Sequence, residues 1–157
     1  MIIRKYRNID KAACLDLIRD NTPDFFAPEE ISEFEEFLTE IRGPYFVVEL
    51  ESEVDKTIVA CGGWTLRPDG SASLCWGMVK RSEHRRGIGS HLLRERLRLI
   101  RSEGSASAVT LVTSQHSQPF FEHLGFDVTA IEPDGLSRGL DAVHMRVHVA
   151  NHAGPVS

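Results

Sequence analysis

Apolar positions along the first forty residues change period twice. "IIRKY" has the make-up of a short strand, and "KAACLDLIRD" then sets Ala13, Leu17 and Ile18 on one helical face, with Asp10 placed to cap it. Pro23 and Pro28 break the pattern in "NTPDFFAPEE". A second, acidic helix follows over "EEISEFEEFLTEI", with Ile31, Phe34, Phe37, Leu38 and Ile41 at helical spacing. "GPYFVVEL", "KTIVACGGWTL" and "SASLCWGMVK" read as three strands joined by "ESEVD" and "RPDG", turn-like segments that predict an antiparallel meander. Helical spacing returns from about Gly89 to Glu103, with Ile88, Leu92, Leu93, Leu97 and Ile100 inward. "AVTLVT" has the unbroken apolar character of a strand buried on both faces. "SQPFFEHL" is a short helix that can end at Gly125, "FDVTAI" a strand, "EPDGLSRGLD" a long loop and "AVHMRVHV" the last strand.

The order β-α-α-β-β-β-α-β-α-β-β predicts an α/β (α+β) fold, a mixed sheet of about seven strands flanked by about four helices. At 157 residues the chain is read as one domain over 1–149, with 150–157 as a frayed tail. No apolar run approaches the roughly 18 residues of a membrane helix, and "MIIRKYRNID" turns charged too early for a secretory signal. Cys14, Cys61 and Cys75 contain no CxxC pair, which argues against a disulfide scaffold or zinc knuckle and points to a reducing cytoplasm. No His-Glu-x-x-His or comparable spacing occurs, so no metal is expected.

Charge sharpens the picture. The net charge is −5, yet residues 1–79 hold 15 acids against 8 Lys/Arg while residues 80–157 hold 8 against 10. Eight of the 18 Lys/Arg fall between Lys80 and Arg101. A local basic cluster in an acidic chain suits a small anionic ligand better than nucleic acid, which needs a broad basic face. Arg94, Arg98 and Arg101 share one exposed helix side. Arg85 and Arg86, immediately before "GIGSHLL", are as consistent with an anion site as with a solvated surface.

The first amides of a helix have no partner within it and carry the positive end of the helix dipole. A phosphate group suits that position. Glycines let the backbone approach it, and Arg85 and Arg86 can add charge-assisted bonds. Two other phosphate motifs are excluded. A dinucleotide fingerprint needs a third glycine where Leu92 stands, and a P-loop needs Gly-Lys-Ser/Thr.

"MVKRSEHRRGIGSHLL" resembles the acetyl-CoA motif of the Gcn5-related N-acetyltransferases, and "FFEHLGF" resembles that family's later "Y-E-K-L-G-F" signature. The element order agrees over about residues 1–149. The resemblance implies a sheet that splays open at its centre, with acetyl-CoA in the gap. It implies that Gly77, Met78 and Val79 form the strand end facing the pantetheine arm. His84, Arg85, Arg86, Gly87, Ile88, Gly89 and Ser90 match the pyrophosphate loop. His84 replaces the usual Arg or Gln, Phe121 the frequent tyrosine that protonates the thiolate, and Ser114 the asparagine often found seven residues earlier. The implied activity is transfer of acetyl to a primary amine by direct attack in a ternary complex. A CoA-binding module without turnover stays open because of Phe121, as does a homodimer.

His116, just after "AVTLVT", is the candidate general base, since an imidazole titrates near neutrality. Phe25 and Phe26, between prolines, are candidates for the acceptor pocket or for the core. Trp64 and Trp76 on neighbouring strands are expected to pack together or line the gap. Arg138 in the long loop completes the candidate pocket. His144 and His148 alternate with Met145 and Val147 and read as a polar sheet face.

Overall fold

The computed structural model describes residues 1–52 and 54–149; the expected tail lies outside the described residues. In chain order the elements are β1 (Ile2–Lys5), α1 (Lys11–Asp20), α2 (Glu30–Thr39), β2 (Tyr45–Glu51), β3 (Lys56–Leu66), β4 (Ser71–Val79), α3 (Ile88–Glu103), β5 (Ala108–Thr113), α4 (Gln118–His123), β6 (Asp127–Ser137) and β7 (Leu140–His148). This is the predicted order. The strands form one sheet, β1-β2-β3-β4-β5-β7-β6. Every neighbouring pair is antiparallel except β4 and β5, which run parallel.

Side-chain alternation along β2 and β3 divides the core between the two faces of the sheet. Val47 and Cys61 pack with Cys14, Leu17 and Ile18 of α1 and Phe34 and Leu38 of α2. Phe46, Val48 and Ala60 pack with Ile88, Leu92, Leu93 and Ile100 of α3. The helices are therefore held by their apolar stripes, as the sequence spacing requires.

β4 and β5 pair only at Ser71–Ser73 and Ala108–Thr110. Beyond those three pairs β4 continues alongside β3 to Val79 while β5 follows β7, so the sheet splays open between them. The opening coincides with a bulge in β4. Cys61 pairs with Met78 and Gly63 with Cys75, so Trp76 and Gly77 together oppose Gly62. Trp76 carries the cost, with φ at +47°.

Four expectations change. Asp10 does not cap α1 with its side chain; its carboxylate instead accepts two bonds from Arg4 and one from the Arg7 amide, each 2.8 Å. The expected long loop after Ile131 is the continuation of β6, folded back onto β7 through a tight turn at Arg138–Gly139. Trp64 and Trp76 do not meet: the β4 bulge and the pleat send Trp64 into the α3-side core against Phe46 and Trp76 to the α2 side against Phe34. On α3 the buried positions include Arg96, with Leu97 only partly covered.

Candidate functional site

A groove of about 850 Å³ follows the splay, running from the mouth formed by the β4–α3 connection down to Leu74 and Leu111 between the diverging strands. Its wall along β4 is Leu74 to Val79. Among the described residues that stretch has no β5 partner, so its backbone polar groups look to side chains or ligands. Some are satisfied locally. Tyr45 donates its hydroxyl to the Trp76 carbonyl at 2.7 Å. The Val79 carbonyl receives Asn21 Nδ2 at 2.9 Å and lies 2.7 Å from His84 Nε2.

The mouth is built for close approach. Gly87 caps α3 in the left-handed conformation, φ +82°, with nothing within 4 Å of where a Cβ would stand. The His91 amide closes the first turn on the Gly87 carbonyl, which leaves the amides before it directed outward. Gly89 faces Phe120 and Val79, each 3.4 Å from an added Cβ, so any side chain there would intrude on the mouth. Arg85 is also left-handed, φ +64°, is exposed, lines the groove and has no ion pair among the described residues. A bare helix terminus with a free guanidinium beside it fits a pyrophosphate.

The structure sorts the expected site residues. Gly77, Met78, Val79, His84, Arg85, Gly87, Gly89, Ser90 and Phe121 line the groove, and so do Phe25, Phe26, Trp76 and His116. Arg86 turns toward Glu83 instead, 3.7 Å away. Ile88 points into the core, so only its backbone faces the mouth. Ser114 is buried in the turn after β5, where its hydroxyl accepts from the His116 amide at 3.2 Å; it does not line the groove. Trp64 is 1% exposed in the α3-side core and does not line the groove. Arg138 sits exposed at the hairpin tip, while nearby Leu136 reaches the groove.

Phe25 organises one wall of the groove. Its ring meets His84 edge-on at 5.3 Å and His116 at 6.3 Å, and the Arg81 guanidinium lies 5.6 Å above it. Trp76 stacks on Phe26 at 6.4 Å. The groove residues that escaped sequence reasoning include Asn21, Glu30, Cys75 and Arg96. Glu30 accepts a 2.7 Å bond from the Ala27 amide, and burial, reinforced by Glu33 and Glu29, raises its pKa above the usual carboxylate value. Burial pushes the Cys75 thiol up to about 11. Arg96 had a signal in its spacing, since it falls on the inward stripe between Leu92 and Ile100. Among the described residues no His, Cys, Asp and Glu side chains converge as a metal site, and no helix is long and apolar enough to cross a membrane.

The comparisons agree with this geometry. No curated protein sequence matches the chain. A GNAT-family protein from Desulfovibrio desulfuricans superposes with a TM-score of 0.78 at 20% identity, over 94% of this chain and 98% of that one. An aminoglycoside 6'-N-acetyltransferase solved with coenzyme A gives 0.75 at 17% identity, over 95% and 97%. The ribosomal-protein-S18-alanine N-acetyltransferase of Escherichia coli gives 0.74 at 18% identity, over 99% and 98%. These likenesses concern the fold. The model of the acetyltransferase (GNAT) family matches residues 12–126, which span the splayed strands, the Gly-x-Gly turn and the "FFEHLGF" segment, and the chain belongs to that family of acyl-transferring enzymes.

Proposed function

We propose that this protein moves an acyl group, in the simplest case acetyl, from coenzyme A to a primary amine by direct attack within a ternary complex. One observation carries the reading. The β4–β5 ladder stops after three pairs, and the groove it opens leads from a bare helix terminus to the unpaired edge of β4. A slender donor can lay its pyrophosphate on the α3 amides and Arg85 and its arm along β4. A backbone N–H at Gly77–Val79 is then available to the carbonyl oxygen as charge develops on it.

Glu30 and His116 flank the acceptor side. Glu30 suits the base role better: it is partly buried, and its raised pKa brings a carboxylate closer to the operating range of a base. It takes the ammonium proton, and the freed amine attacks the thioester carbonyl carbon. The C–S bond breaks, sulfur leaves with the electron pair, and the second proton of the amine nitrogen passes through solvent to that sulfur, since Phe121 has none to give. His116, which lines the groove beside Phe25, orients the acceptor. The protonated state of Cys75 favours this direct route over an acyl-cysteine.

Calorimetry with acetyl-CoA, followed by thiol release over a panel of amines, tests the reading. Binding at micromolar ligand and amine-dependent thiol release are expected. Absence of any CoA binding would overturn it.

A further inference from the structure

We propose that Arg96 forms a carboxylate subsite in the groove and that the carboxylate belongs to the donor, so that the preferred donor is an acyl-CoA whose chain ends in a free carboxylate, of malonyl or succinyl type. This rests on the coenzyme A reading above and deepens it.

Arg96 stands seven residues after Gly89, two helical turns or about 10.5 Å further along α3. Its side chain turns toward the sheet and the residue is 5% exposed. Two strand positions are bare to admit it. A Cβ on Gly62 would stand 3.0 Å from its Cζ and Nη1, and one on Gly77 would stand 3.0 Å from its Nη2. The guanidinium is therefore fitted beneath the β4 bulge, under the strand end assigned to the thioester.

The fork is nearly empty. Of its five donors, one bond is made, Nη1 to the Gly63 carbonyl at 3.1 Å, and buried Nε has no partner. No carboxylate among the described residues pairs with it. The ionisable groups close enough to act on it electrostatically are Cys75, Tyr45 and Cys61. Burial raises the pKa of Cys75 and Tyr45, and the Tyr45 hydroxyl is spent on the Trp76 carbonyl. Neither of these two supplies negative charge near neutral pH. A buried cation without a counter-ion is costly unless a ligand completes it.

The surroundings select the ligand. Leu74, Leu92 and Leu111 line the same groove, so methylenes meet apolar walls and a terminal carboxylate meets the guanidinium. Position selects the source. Arg96 belongs to α3, whose first turn forms the donor's cradle, and it lies on the α3 face of the sheet. Trp76 and Phe26, on the acceptor side, pack with the α2-face cluster. During transfer the amine attacks the carbonyl carbon bonded to sulfur and the C–S bond breaks. Glu30 takes the ammonium proton before attack; sulfur leaves with the electron pair, and the nitrogen's second proton reaches it through solvent. The distal carboxylate keeps its charge and stays paired with Arg96.

Binding and turnover of acetyl-, butyryl-, malonyl- and succinyl-CoA by the wild-type protein and Arg96→Met test this. Wild type should bind malonyl- or succinyl-CoA roughly 10- to 100-fold more tightly than butyryl-CoA, the range for one charge-assisted contact. Arg96→Met should erase that difference and leave butyryl-CoA binding unreduced. Equal or weaker binding of the dicarboxylic donors by wild type overturns the proposal, and this arm stands even if the variant does not fold. An equal loss for all four donors in Arg96→Met makes the residue structural and also overturns it. So does an Arg96-dependent preference, with acetyl-CoA, for amino acids over their decarboxylated amines, which would place the acceptor's carboxylate there. Failure of every CoA thioester to bind would instead remove the reading beneath.

Discussion

His84 Nε2 lies 2.7 Å from the Val79 carbonyl, tying the first position of the glycine motif to the end of the strand that precedes it. Asn21 holds the same oxygen from α1 at 2.9 Å. His84 thus works as a strut between loop and strand, a task a glutamine amide can also perform. His84→Ala should weaken acetyl-CoA binding about 2- to 10-fold, the value of one net hydrogen bond, and His84→Gln should restore most of it. Calorimetric titration of both variants checks this.

Glu30 should set the acidic limb of the pH–rate profile. Its carboxylate form is the active one, so kcat/KM should rise with pH through a value above the ordinary carboxylate range near 4.3. Glu30→Gln should lower kcat/KM by roughly 10²- to 10⁴-fold. Stability runs the other way. Because the folded pKa is raised, the fold binds this proton more tightly, and stability falls as pH climbs from the unfolded value through the folded one. The glutamine keeps an acceptor for the Ala27 amide and removes that penalty, so its melting point at neutral pH should be higher.

The two mouth glycines should fail in different ways. Gly89→Trp puts an indole where a Cβ already touches Phe120 and Val79, so acetyl-CoA binding should vanish while the melting point changes little. Gly87→Ala meets no neighbour but must hold φ near +82°, which costs about 1 kcal/mol. Urea unfolding should show that loss.

Cys75 faces the groove as a thiol, its pKa about 11. Direct transfer predicts that Cys75→Ala keeps turnover and that iodoacetamide at neutral pH is slow to modify the site. An acyl adduct on Cys75 by intact mass would exclude the direct route.

Asp10 anchors β1 and the start of α1 through Arg4, which also donates to Glu49 at 2.6 Å. The Arg4 hydrogen bond is the chief reason its pKa is lowered. A lowered folded pKa contributes stability above the unfolded value near 3.9, and that stability is lost as pH falls through the folded one. Asp10→Asn leaves Arg4 paired with Glu49 alone and should cost about 1.5–3 kcal/mol at neutral pH, the range for a hydrogen bond to a charged group. Denaturant midpoints should converge with wild type in strong acid.

The elements were legible because their periods are clean and their breaks are marked by Pro23, Pro28 and the glycine turns. "EPDGLSRGLD" misled because Pro133 and Gly135 have loop composition. β6, however, is an edge strand in the sheet order, where a proline has no ladder bond to lose. The glycine turn at the mouth of the groove was legible from local chemistry. The rest of the site depends on long-range meetings, such as Asn21 with Val79 or Arg96 with Gly62 and Gly77. Trp76 adds a second obstacle, since a bulge overrides alternation and nothing in the neighbouring residue types announces it.

The early end of the β4–β5 ladder has one more consequence. Exposed strand edges invite other chains, and proteins hide them at the rim of a sheet with charge, proline or a covering helix. Here the raw edge is internal, in a cleft whose walls are already joined at Ser71–Ser73, with Phe25 and Phe120 at its sides. The free protein is in this sense an unfinished sheet, and its melting temperature should report, through simple mass action, which thioester completes it best.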